Sequence, residues 1–395
     1  MTNSKNERSG LQGLPFFSYG FRPFFLSAAV FAGVALPIWA MILAGANNTD
    51  FLYVPREWHV HEMVFGFLPA VIAGFLFTAM PNWTDRPPIK GLPLMVLWAL
   101  WLAGRLVIGI PWPPPLVCAI LDGAFLLALS IIVWREIAIG KAWDRSPIGV
   151  LISLYAIANL LFHTLALNDS ATDLPIRMGL LVIIMLLALI GGRVIPSFTL
   201  DYLGERGMPQ QPPSFSRVDE ASILLAAIAA IAWMVQPQAQ VTGWLLVVAG
   251  LMNLVRLIRW YGWVTWREPL VLILHVGYGW LAISLLILGA AILEFGVRQE
   301  DAVHALTTGA VGSMTLAIMT RASLGHTGRP RHAGPMTVMI YSLVNLGAVL
   351  RVFGPATDLS TSVVLGLSAI VWSSGYVLFT LVYGPYLFCP SLDEE

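Results

Sequence analysis

The segment Trp58-His59-Val60-His61-Glu62-Met63 sets two imidazoles, a carboxylate and a thioether at the mouth of an apolar run that continues to Met80. Hydrocarbon offers such groups no water, so an ionisable side chain in a membrane segment is a functional candidate by default. Neutral imidazole is the ordinary protein ligand for haem iron and for copper. In a regular helix a two-residue step is a rotation of about 200°, so His59 and His61 face opposite sides and cannot chelate one ion together. Each serves a different centre, or one binds metal while the other packs or hydrogen-bonds. Met63 shares the face of His59 four residues on, and Glu62 is placed to steady a neighbouring imidazole as its acceptor.

The elements that must position these groups follow from composition. The chain has 395 residues, 57% hydrophobic and 11% charged, with a mean hydropathy of +0.77, whereas soluble domains carry roughly 25% charged residues. That describes an all-α integral membrane protein. A spanning helix needs roughly 20 mostly apolar residues, which predicts a polytopic bundle of about twelve helices, centred near residues 34, 69, 100, 127, 158, 187, 228, 250, 281, 313, 345 and 375. They form one membrane domain over 1–395, with an array at about 23–388 between tails at 1–22 and 389–395. The run from Pro23 is too long for a signal-peptide core and reads as a retained span. A polar connection near 200–217 divides the array six and six, without a defensible internal repeat.

Sixteen Lys and Arg residues fall on the side of the tails and four, Arg56, Arg177, Arg298 and Arg351, on the other. By the positive-inside rule both termini are cytoplasmic. That orientation brings His59 and His61 on the second span, His163 on the fifth and His304 on the tenth to the outer level. These four are the candidate metal ligands. His275 on the ninth span and His326 after the tenth lie toward the cytoplasm and form a candidate second centre or electron-entry point, with Tyr278 a hydrogen-bond or redox neighbour on the face of His275. Gly66 and Gly74 interleaved with Phe65, Phe67, Phe75 and Phe77 leave room for a flat macrocycle, although such stripes also serve ordinary packing. Arg56 and Arg105 are available for haem propionates, or Arg105 pairs with Asp122.

Other chemistries are set aside or kept as rivals. Balanced charge, 22 basic against 22 acidic residues, gives no basic field for nucleic acid. Cys118 and Cys389 are isolated and offer no thiolate site. Twelve spans with Arg105, Asp122, Glu136 and Arg193 among them also fit a secondary transporter. The stretch Arg321-Ala-Ser-Leu-Gly-His326-Thr-Gly-Arg329-Pro330 also reads as a helix stop followed by a cationic loop.

Phe17-Ser-Tyr-Gly-Phe-Arg22-Pro-Phe-Phe25, Trp58-His-Val-His61-Glu-Met-Val-Phe-Gly66, Gly74-Phe-Leu-Phe-Thr-Ala-Met-Pro-Asn82-Trp-Thr, and His304-Ala-Leu-Thr leading to Arg321-Ala-Ser-Leu-Gly-His326-Thr-Gly-Arg329 together resemble the NnrS family over essentially the whole chain. The resemblance implies a multi-pass protein of the bacterial inner membrane that contains haem, here expected to be b-type, and copper, and that acts in nitric oxide metabolism and nitrosative-stress resistance. Combined with the histidine pattern, it leads to the expectation of NO binding on the periplasmic side and reduction to nitrous oxide by an oxidoreductase resembling haem-copper nitric oxide reductases. Electrons would come from quinol or a redox protein. An NO sensor or buffer, or a haem and copper handling protein, is the alternative. For the topology, a fluorescent protein fused after Glu395 should fluoresce in cells and alkaline phosphatase fused there should be inactive; the reverse pair of results would invert the orientation.

Overall fold

The computed structural model describes residues 14–45, 52–110 and 113–393. Eleven helices are long and apolar enough to cross a membrane, and a twelfth apolar helix is shorter. In chain order they are α1 (Phe21–Leu43), α2 (Pro55–Thr84), α3 (Leu92–Ile108), α4 (Pro115–Ile139), α5 (Trp143–Ala166), α6 (Asp173–Glu205), α7 (Arg217–Val235), α8 (Gln240–Ile258), α9 (Pro269–Ile292), α10 (Gln299–Gly325), α11 (Pro335–Ala356) and α12 (Thr361–Phe388). Among the described residues there is no strand. The expected array is therefore observed, with every predicted centre inside its helix. Proline in the first turn starts α2, α3, α4, α9 and α11, where its missing N–H costs nothing and its fixed φ favours helix.

Consecutive helices pack side by side from α3 through α12, and α12 returns onto α1 to close the bundle. The described ends of the chain meet there: Phe16 stacks on Phe388 at 4.6 Å, and Arg22 donates to the carbonyls of Leu387 and Cys389 at 3.1 and 2.5 Å. Both ends thus lie on one side, as an even number of crossings requires. The most enclosed helices are α2 and α10. α2 touches α1, α3, α4, α6 and α10, so its two faces look into different parts of the bundle.

Three helices widen into π turns, α2 at Glu62–Phe67, α6 at Leu187–Gly191 and α10 at Ala305–Val311. In α2 the cause is local: Pro69 offers Phe65 no N–H and its ring presses on that carbonyl. The extra residue in a π turn takes backbone groups out of the regular ladder, and in lipid each must find a partner inside the protein. Neighbouring helices supply them. Trp101 donates to Gly66 O at 2.9 Å and the Tyr155 hydroxyl to Val64 O. Arg256 donates to Ala188 O at 2.8 Å, and Trp372 to Thr308 O at 3.0 Å. Replacing Tyr155 by Phe or Trp101 by Phe should each leave a buried carbonyl unpaired and cost about 1–3 kcal/mol, read as a lowered melting temperature in detergent; unchanged melting for both would show that the π turn does not depend on these latches.

Candidate functional site

The rotation expected between His59 and His61 is realised, and each imidazole meets a different environment. His61 is fully buried. Its Nδ1 lies 3.0 Å from Glu62 Oε1, and its Nε2 3.1 Å from Asn159 Oδ1 and 3.3 Å from Asp122 Oδ2. His163 of α5 donates from Nε2 to the same Asp122 Oδ2 at 2.8 Å. His61, Asp122 and His163 each present one ligand atom within 4.8 Å of the others. Asn159 also donates to Asp122 at 2.9 Å. Burial raises the Tyr53 phenol above its usual pKa, so the hydroxyl keeps its proton and donates it to His163 Nδ1.

Arg105 occupies the centre of this cluster. It donates to Glu62 Oε1 at 2.7 Å and forms an ion pair with Asp122 Oδ1. A Cβ on Gly66 would strike the guanidinium, and one on Gly104 would lie 2.9 Å from Asp122 Oδ1, so both close approaches require glycine. Of the two expectations for Arg105 the ion pair is what forms; the residue does not line the cavity described next, and its hydrogen bonds are not free for propionates there. Glu62 does accept from an imidazole, that of its neighbour His61.

A charge count over the cluster leaves a deficit. Two carboxylates, Glu62 and Asp122, face one guanidinium. His61 has acceptors at both nitrogens, whereas a neutral imidazole carries one N–H. Turning the Asn159 amide over would set its oxygen against Asp122 Oδ2 and would still leave His61 Nε2 facing that carboxylate at 3.3 Å. One further cation, a second proton on His61 or a metal ion, would satisfy both conditions.

His59 looks the other way, into a cavity of about 690 Å³ that opens on the side opposite the chain ends. His304 of α10 lines the same cavity, as do Met63, Phe67, Leu180, Ile183, Val311 and Trp372. His59 stacks flat on Trp39, with centroids 4.6 Å apart and planes 6° apart, and its Nδ1 is buried without a hydrogen-bond partner. His304 Nδ1 lies 2.6 Å from Glu300 O. A carbonyl only accepts, which places the proton on Nδ1 and leaves the Nε2 lone pair for a ligand; Arg351 Nη2, itself only a donor, lies 3.0 Å from the same Nδ1 and in this tautomer packs against it without a hydrogen bond. Arg56, Arg177 and Arg351 line the cavity too. Arg351 is held by Asp301 at 2.7 Å, which Arg298 also grips at 2.8 and 2.9 Å.

The four outer-level histidines are thus two pairs, separated by the body of α2. Depth along the membrane does not encode the direction in which a side chain points, which is why the sequence alone grouped them. Arg177 and Arg351 were missed as site residues, although their signal was present: with Arg56 and Arg298 they are the minority cations on the sparsely charged side. Asn159 and Tyr53 were missed as well; Asn159 stands four residues before His163 on the same face.

The cytoplasmic candidates do not form one centre. His275 donates from Nε2 to Thr199 at 2.9 Å and packs beside Trp260 and Gly262. His326 lies against Tyr19 and Phe21 at the chain-end side, where burial and the Arg331 guanidinium lower its pKa. Tyr278 belongs to another group: it accepts from Arg256 at 2.9 Å and donates to Asn253 at 2.6 Å. The charges that fit a transporter are also committed, Glu136 to Arg86 and Arg135, while Arg193 is exposed on α6.

The sequence model of one protein family, described as NnrS protein, matches residues 15–391. No curated protein matches the chain. For the cluster, Arg105→Met should strand two buried carboxylates and destabilise by about 3–5 kcal/mol. Adding Glu62→Gln should recover part of the loss, measured by thermal unfolding; a double variant no better than the single one would deny the coupling.

Proposed function

We propose a haem-bound nitric oxide site for this chain, which belongs to the NnrS family and is a nitric-oxide-related membrane protein. The observation that carries the reading is the pair of imidazoles, His59 and His304, on separate helices of one cavity whose lining includes Arg56, Arg177 and Arg351. Ligand cavities commonly measure about 300–1,000 Å³, and the donor set fits haem. Two nitrogens are available for iron, the guanidiniums of Arg56 and Arg177 match carboxylates in the manner of arginine while Arg351 is held by Asp301, and the wall is largely apolar. His304 is the better anchored ligand, because the Glu300 carbonyl orients its ring. His59, held by stacking on Trp39, is the nitrogen that can give way to a small molecule.

Bound haem would supply a ferrous centre with high affinity for NO. The chain provides the rest. The hydroxyls of Thr307 and Thr308 are spent on the carbonyls of Val303 and His304, so the deep wall has little polarity to hold water and suits a neutral diatomic. Arg351, fixed by Asp301, cannot swing inward without breaking that pair. Joining two NO molecules to nitrous oxide consumes two electrons and two protons, and in this reading a quinol or a redox protein donates the electrons. The periplasmic side of a bacterial inner membrane is where the cavity mouth would open.

His304→Ala should remove most of the haem measured as pyridine haemochrome, and His59→Ala should leave haem in place with an altered reduced spectrum. The wild-type protein with an electron donor should consume NO and release nitrous oxide, and His304→Ala should slow this at least about tenfold, the loss expected for a metal ligand or its support. Stoichiometric NO uptake without nitrous oxide would leave a sensor or buffer. A colourless wild-type preparation would overturn the haem site.

A further inference from the structure

We infer that the face around the cavity mouth docks a soluble, positively charged one-electron carrier protein, which supplies the cavity's electrons from that side. Docking follows from the surface alone, whereas the destination of the electrons rests on the haem proposed above. Among the described residues of that face, Asp169, Asp173, Glu294, Glu300 and Asp358 are exposed, against two exposed guanidiniums, Arg56 and Arg298. Both guanidiniums are already engaged, Arg298 by Asp301 at 2.8 Å and Arg56 by Asp173 at 3.4 Å. Asp169, Glu294, Glu300 and Asp358 therefore meet water with no ion-pair partner among the described residues. The chain's three lysines, Lys5, Lys90 and Lys141, all fall on the side of the tails. Membrane orientation accounts for the scarcity of Lys and Arg around the mouth, but Asp and Glu contribute little to orientation. The surplus of carboxylates is thus a separate property of this surface.

Distance selects the side from which electrons come. α10 begins at Gln299 and ends at Gly325, so roughly 8 Å of helix separate His304 from the mouth end and roughly 30 Å from the other. Electron transfer through protein weakens steeply with distance. A donor at the mouth reaches a group held by His304, and a donor at the opposite face does not. The character of the rim then selects the kind of donor. A quinol is carried by an apolar tail and needs an entrance from lipid, whereas the lining of the cavity reaches exposed Arg56, Asp173, Gln238 and Glu300 at its mouth. That entrance faces water. A surface field of one sign steers a partner of the opposite sign and raises its encounter rate about 10–10³-fold. Encounters between redox proteins use small interfaces, under about 1,200 Å², so an oxidised carrier can leave and a reduced one take its place. Each reduced carrier gives up one electron and departs oxidised. Two in turn supply the two electrons that, with two protons, convert two NO molecules to nitrous oxide and water.

The full-length protein in nanodiscs of uncharged phosphatidylcholine should bind an oxidised, basic c-type cytochrome, and binding should weaken at least about tenfold between low and physiological salt. Glu294 and Asp358 stand outside the cavity lining. Glu294→Lys combined with Asp358→Lys should weaken binding at least about tenfold at low salt without lowering the melting temperature, and Glu294→Gln with Asp358→Asn should give an intermediate loss. In the same discs the reduced cytochrome should reduce the haem, and the double Lys variant should slow this step by the factor it loses in binding. Dithionite, which needs no docking, should reduce both proteins alike. Cytochrome binding that is absent, or that ignores salt and both double variants, would overturn the docking surface. Haem reduction faster with a short-chain quinol than with the cytochrome would overturn the soluble carrier in favour of a lipid-borne donor. A colourless protein that still binds the cytochrome with this salt dependence would overturn the haem site and the electron step while upholding the docking surface.

Discussion

The guanidinium of Arg105 between the carboxylates of Glu62 and Asp122 ties α3 to α2 and α4 where water cannot reach. Breaking such a buried pair is far costlier than never forming it, so the three helices are held in one relative rotation. The consequence spreads through the backbone. Because Asp122 also collects His163 and Asn159, α5 is drawn to the same point. Because Glu62 and His61 are committed to that point, the opposite side of α2 must carry His59. The direction of the cavity-facing imidazole is therefore set by an ion pair on the far side of its helix.

The second half solves the same problem with different residues. Arg256 is fully buried, bonds Asp219 at 2.8 Å and lies over Trp260 and Tyr278. A Cβ on Gly192, just past the π turn of α6, would strike its guanidinium, as one on Gly66 would strike Arg105. In both halves a buried arginine presses on a glycine in or next to a widened turn. The partners then differ. Around Arg105 they include two imidazoles, whereas around Arg256 they are Asp219, Tyr278 and the Ala188 carbonyl. Among the described residues, the grouping of His and Asp side chains spaced closely enough for a metal ion therefore lies in the first half, although the supporting architecture is shared.

Much of this was legible in residue types and spacing. The twelve helices follow from hydropathy, because span length is imposed by the bilayer, and the opposed faces of His59 and His61 follow from helical geometry. The partition of His61 with His163 and of His59 with His304 was not legible, since it depends on helix rotation. Rotation was decided by Arg105, for which two roles were equally open. The π turns escaped notice because an apolar run looks the same whether its turns have four residues or five. Pro69 was the local sign of the first one. Tyr278 was misplaced for a related reason: sharing a face with His275 says nothing about which neighbouring helix each side chain meets, and Arg256 reaches Tyr278 from α8.

The return of α12 onto α1 has a bearing on biosynthesis. Trp39 and His59 are among the first residues made, whereas Trp372, which shares their cavity, is among the last. At about 5–20 residues per second, the 313 residues from Val60 through Trp372 take roughly 15–60 seconds to translate. Until the last helix is made, the chamber lacks the part of its wall that Leu365, Ser368, Ala369 and Trp372 supply. The chamber is enclosed only in the completed chain, and the closing helix acts as the last stave of a barrel.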